Sequence, residues 1–117
     1  MPEITEVELT VPQGTTFIYE VEFLDKGTGQ PINMTGWTSL LKAKQSIDDT
    51  TAVFTATDQD YITLGNGLAT LRIPDSVTAA FTFSKVGFDW EVRDPAGATT
   101  VYRLVKGVWI LDREYAR

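Results

Sequence analysis

The sequence predicts an all-β fold, an antiparallel β-sandwich of about seven short strands with one helical turn near 75–82. Three observations carry this. Apolar and polar residues alternate with a period of two along most of the chain. Turn-forming clusters of Gly, Pro, Asn and Asp recur about every 10–15 residues. No stretch has the strand–helix–strand spacing of a parallel α/β sheet. A flattened barrel satisfies the same pattern and is the alternative.

The elements follow in order. "ITEVELTV" reads as a strand with Glu6 and Glu8 facing out. "PQG" at 12–14 interrupts it, a place to turn or to cross between sheets. In "TFIYEVEFL", Phe17, Tyr19, Val21 and Phe23 alternate with Glu20 and Glu22, giving one buried and one wet face. "DKGTGQP" at 25–31 is a loop. "PINMTGW" is then a loop-to-strand corner. Pro31 stiffens its start, Asn33 and Thr35 bond the local backbone, Gly36 relieves it, and Met34 and Trp37 drop towards the core.

"WTSLLKAKQ" is a strand with Lys42 and Lys44 on its outer face, broken by "SIDDT", and "TAVFTAT" resumes the β pattern. "YITL-GNG-LATLRI" is the clearest hairpin, because glycine and asparagine tolerate positive φ. "PDSVTAAF" is the helical candidate, capped by Asp75 or Ser76. "FDWEV" puts Phe88, Trp90 and Val92 inward, with Asp89 and Glu91 outward. "VYRLVKGVWIL" is a long last strand, where Gly107 marks a bulge or a close backbone approach.

Composition restricts the chemistry. The chain has no cysteine, so it has neither disulfides nor thiolate ligands. It also has no histidine, which removes His-based triads and His-based zinc sites. The expectation is a protein that is not an enzyme and needs no cofactor. A net charge of −6 argues against nucleic acid as a partner. "MPEITEVEL" lacks a basic and then apolar run, and nothing reaches the length of a membrane span. A chain made in the cytoplasm, without a membrane partner, is expected.

The charge is uneven. Residues 1–25 hold Glu3, Glu6, Glu8, Glu20, Glu22 and Asp25 with no base. The last 25 residues hold Arg93, Arg103, Lys106, Arg113 and Arg117 against three acids. Solvated strand faces account for this. The sharper reading is an acidic patch that meets a basic neighbour in an assembly.

Other candidate sites have plain alternatives. "NMT" at 33–35 fits the glycosylation pattern, but without a secretory signal it reads as turn chemistry. "DD" at 48–49 and "DQD" at 58–60 could offer oxygens to calcium, yet neither fits an EF-hand loop. Trp90 and Trp109 fall on alternating strands and read as core, whereas Trp37, beside a loop, is the candidate for stacking on a sugar.

Taken in order, "VPQGTTFIYEVEF", "GQPINMTGWTSLLKAKQ", "ITLGNGLATLRIPDSVTAAF" and "FDWEVRDPAGATTVYRLVKGVWIL" resemble a class of small phage and prophage virion proteins. A similar layout occurs in the N-terminal domain of siphophage baseplate upper proteins. Gln13 to Phe17 match a "QGDTF" element, with Thr15 in place of its Asp. Asn33 to Trp37 match "DLTGW", Thr78 to Ala80 the helical turn, Phe88 to Val92 "YDLEV", and Arg103 to Val108 the last strand. The resemblance implies a single immunoglobulin-like β-sandwich domain over 1–117, serving in the virion as a tail, baseplate or tail-fibre adaptor. Its partners would be other virion proteins and further copies of itself, and it implies no catalytic residues. On this reading the contact candidates are Glu6, Glu8, Glu20 and Glu22 in the first strands and Arg113, Tyr115 and Arg117 in "LDREYAR". The alternatives are a carbohydrate-binding module that uses Trp37, and a capsid decoration protein.

Overall fold

In the computed structural model, which describes residues 5–25, 27–95 and 100–113, the period-two segments all become strands. Eight strands are present among the described residues. They are β1 (Thr5–Pro12), β2 (Phe17–Glu22), β3 (Thr38–Lys44), β4 (Phe54–Thr57), β5 (Ile62–Leu64), β6 (Leu68–Ile73), β7 (Lys85–Asp94) and β8 (Thr100–Asp112). One helix, α1 (Asp75–Ala79), joins β6 to the segment before β7. It is shorter than the expected 75–82. Its N-cap is Pro74, with no side-chain cap, rather than Asp75 or Ser76. The Asp75 carboxylate instead accepts the N–H of Ser76, its own neighbour, at 2.9 Å.

The strands form two sheets, ordered β1-β8-β7-β3-β4 and β2-β6-β5. Lettering the strands from the chain start, with β4 as C′, gives the immunoglobulin division: B, E and D in one sheet, G, F, C and C′ in the other. The chain crosses between sheets at 12–16, where the sequence placed an interruption. All pairs are antiparallel except β1 with β8, which run parallel with Val7 opposite Gly107. That exception departs from the all-antiparallel expectation.

Gly107 explains how β1 fits there. A Cβ on it would lie 1.8 Å from the carbonyl oxygen of Val7. The close backbone approach is therefore real. The bulge lies elsewhere: Trp90 faces Val105 and Glu91 faces Arg103, leaving Leu104 as the extra residue. Leu104 and Val105 are accordingly both buried.

The inner faces enclose an aromatic-rich core. Trp90 and Trp109 are fully buried, as expected. Trp109 lies among Phe88, Phe54 and Phe17, with ring centroids 5.2, 5.9 and 6.1 Å away. The Trp90 indole N–H donates to the Ser39 hydroxyl at 2.9 Å, and that hydroxyl donates to the carbonyl of Glu91. This buried polar chain leaves no donor unmet. Thr78 locks the helix to the crossover. Its hydroxyl, fully buried, donates to the carbonyl of Thr15 at 2.7 Å and accepts the N–H of Gly14 at 3.1 Å.

The corner at 31–37 forms as the sequence suggests. The Asn33 carboxamide oxygen accepts from the Thr35 N–H and hydroxyl at 3.0 and 2.7 Å. Gly36 takes a φ of 85°, and Met34 is fully buried. The corner is also laced to the hairpin loop between β5 and β6, through Met34 N–H to Gly65 and Gly67 N–H to Ile32.

Candidate interaction surfaces

With one face of each sheet in the core, the outward-pointing residues of each strand define two broad faces on opposite sides of the sandwich. β1 contributes Glu6 and Glu8 to the outer face of the five-stranded sheet. β2 contributes Glu20 and Glu22, beside Ile18, to the outer face of the three-stranded sheet. The four glutamates therefore do not form one acidic patch. Alternation tells which way a side chain points but not which sheet its strand joins, and the crossover at 12–16 separates the two pairs.

The basic residues of the last strand are also placed by register. Lys106 lies opposite Glu6, with Nζ 3.3 Å from its Oε1. Arg103 approaches Asp89 at 3.7 Å. Arg113 donates from Nη2 to the carbonyl of Thr82 at 2.7 Å, tying the end of β8 to the segment before β7. Tyr115 and Arg117 lie outside the described residues. Part of the basic charge of the last strand is thus answered within the chain, by Glu6 and Asp89, each exposed pair contributing about 0–1 kcal/mol.

The outer face of the five-stranded sheet holds a depression of about 480 Å³, lined by Glu6, Lys42, Lys44, Asp89, Lys106 and Ile47 among others. Its floor includes Gly87, which presents no side chain. Ile47, in the β3–β4 loop, is 90% exposed, the most exposed of the large apolar residues described.

Trp37 is half-buried and stacked. Its ring lies on Tyr102 at 5.9 Å and 14°, and meets Phe23 edge-on at 6.0 Å. One indole face is thereby occupied, which leaves at most the other for a sugar. Trp37→Ala is expected to lower stability by about 2 kcal/mol, below the about 3–5 of a fully buried ring. A denaturant melt checks this, and the result bears on whether the variant can serve as a clean glycan probe.

One carboxylate in each of the two acidic loop motifs is used locally. Asp49 accepts the Ser46 N–H at 3.1 Å, and Asp60 accepts the Thr57 N–H at 2.8 Å. Asp58 reaches further and accepts the N–H of Ser39 at 2.9 Å, the residue that also holds Trp90. Among the described residues, no three His, Cys, Asp or Glu side chains gather as metal ligands would.

The Ser39 N–H holds the Asp58 carboxyl below its ordinary pKa. A carboxyl with a lowered folded-state pKa stabilises the fold above its unfolded value and loses that contribution as pH falls through the lowered one. The stability gap between the wild type and Asp58→Asn is therefore expected to be full above about pH 4 and to narrow below it. Urea melts of both proteins between pH 2 and 6 (roughly spanning the carboxylate range) check this.

No protein-family model matches the chain, and a search of curated proteins finds no match.

Proposed function

We propose that this chain is a non-enzymatic phage virion protein, a rigid β-sandwich that joins neighbouring proteins in the tail, baseplate or fibre-attachment region. The observation that carries the reading is where the family-like phrases fall in the fold. Gln13 and Gly14 of "QGTTF" reach the carbonyl of Phe81 and the hydroxyl of Thr78. The "NMTGW" phrase builds the corner laced to the β5–β6 loop, and Gly107 admits β1 beside β8. The phrases that carry the resemblance are thus long-range contacts on which this sandwich depends, which supports a shared fold more than chance likeness does.

A sandwich of this kind works as a spacer. Its core fixes the distance between its ends, while outer sheet faces and strand edges offer side chains and backbone to neighbours. The described surface fits this role. It has broad charged faces and a shallow depression, and its loop carboxylates bond their own backbone. The stacking of Trp37 on Tyr102 weighs against the glycan reading.

Mass spectrometry of particles purified from the phage or prophage that encodes the chain tests the proposal. The expected result is the chain in fixed ratio to the other tail proteins after density-gradient purification. Its absence from intact particles would sink the reading.

A further inference from the structure

The strand register places the charges of the five-stranded sheet in an order that goes beyond pairing within one chain. Across β1, β8, β7 and β3, one outward row reads Glu6, Lys106, Asp89, Lys42. The signs alternate, so the row read backwards is its own inverse in charge. The next row reads Arg103 on β8, Glu91 on β7 and Leu40 on β3. The row on the other side reads Glu8, Val108, Gly87, Lys44.

We propose that this face binds a second copy of the chain, about a twofold axis that runs parallel to the strands between β7 and β8. That axis lays β8 over the partner's β7 and β1 over the partner's β3. Lys106 then meets the partner's Asp89, Glu6 meets the partner's Lys42, Arg103 meets the partner's Glu91, and Glu8 meets the partner's Lys44. Every charged pair is opposite in sign, in all three rows, from one operation. Val108 meets the partner's Gly87, so a side chain faces the hollow that the glycine leaves. A twofold across the strands, through the Lys106 row, would do the reverse, stacking each charge of that row on its own copy, with Lys106 on Lys106. The charge pattern therefore selects one twofold and rejects the other.

The same alternation also serves within the chain, where opposite charges on adjacent strands are favourable. Adjacent-strand pairing requires only that neighbours differ in sign. It accounts for Arg103 and Glu91, which are neighbours, but it does not require Glu8 and Lys44, on strands that do not pair, to differ in sign about the same line between β7 and β8. Ile47 adds apolar surface at the rim of the depression. Because the contacts are exposed ion pairs, the dimer is weak and salt-sensitive.

The inference deepens the assembly reading by naming a surface, a partner and a symmetry, and it rests on that reading only for its biological setting. Sedimentation velocity over a range of chain concentrations tests it. The wild type is expected to dimerise at low salt and to return to monomer in 1 M salt, where the Debye length is about 3 Å. Asp89→Lys and Lys106→Asp, each alone, are expected to weaken the dimer by roughly tenfold or more, because both symmetric copies of the central pair become like-charged. Mixing the two variants restores complementarity at both copies, so the mixture is expected to associate one to one. Circular dichroism and thermal melts verify that each variant is folded, and a misfolded chain would not be rescued by mixing.

A wild type that stays monomeric at low salt overturns the inference. So does a wild-type dimer that neither variant weakens, or two weakened variants that fail to associate when mixed. None of these outcomes touches the presence of the chain in particles, which the mass-spectrometric test decides separately.

Discussion

Replacing Gly107 with alanine is expected to detach β1 from β8. The added Cβ would lie 1.8 Å from the Val7 oxygen, 2.8 Å from its carbonyl carbon and 2.9 Å from its nitrogen. All three are backbone atoms, so no rotamer change relieves the clash. β1 must move as a unit, giving up its parallel ladder from Thr5 to Pro12. Overpacking commonly costs about 1–3 kcal/mol, and a rigid backbone on the receiving side places this change at about 3 or above. Equilibrium unfolding gives the loss, and hydrogen exchange at the β1 amides shows whether that strand opens first. Gly87→Ala is the control. Its Cβ would meet only the carbonyl oxygens of Gly107 and Lys44, at 3.8 and 4.0 Å, which is ordinary contact. Stability within about 0.5 kcal/mol of wild type is expected there.

The second large effect is at Trp109. It is fully buried among Phe88, Phe54 and Phe17, and Trp109→Ala is expected to cost about 3–5 kcal/mol. The phenylalanine variant separates volume from polarity. Among the described residues the buried Trp109 indole N–H has no hydrogen-bond partner, whereas that of Trp90 donates to Ser39. Removing an unmet donor relieves a desolvation cost of about 1–3 kcal/mol, and removing a satisfied one loses a bond. Trp109→Phe is therefore expected to be less damaging than Trp90→Phe, although both shed similar volume. Parallel urea melts of the two variants decide it, and an equal or reversed order would mean that packing outweighs the hydrogen bond.

Much of this fold is legible in the sequence because a sandwich writes its core as alternation. Phe88, Trp90 and Val92 are inside and Asp89 is exposed, since the period of two is a local property. The corner at Asn33 to Gly36 is legible for the same reason: its hydrogen bonds span two residues. What escapes a sequence reading is pairing at a distance. Nothing in "ITEVELTV" says that its partner lies about a hundred residues later and runs parallel to it. The burial of Thr78 is hidden likewise, because its hydroxyl serves Gly14 and Thr15, more than sixty residues away, besides the Asp75 carbonyl of its own helix.

The surfaces follow the same division. That Glu6, Glu8, Glu20 and Glu22 face outward can be read from the pattern, but their separation onto two faces cannot. The charge rows are a property of register alone. Glu6, Lys106, Asp89 and Lys42 are scattered along the chain and become neighbours only when four strands align. The share of the lopsided charge that lies on β1 and β8 thus joins rows of opposite sign across the five-stranded sheet, while Glu20 and Glu22 lie on the other sheet.

Cryo-electron microscopy of the particle decides whether this chain is an assembly module working through its sheet surfaces. The expected map shows a two-sheet β domain of about 47 × 28 × 23 Å in the tail region, with the outer face of the five-stranded sheet covered by a protein neighbour. Particles that lack such a domain, or a domain whose charged face is open to solvent while its contacts lie elsewhere, would contradict it.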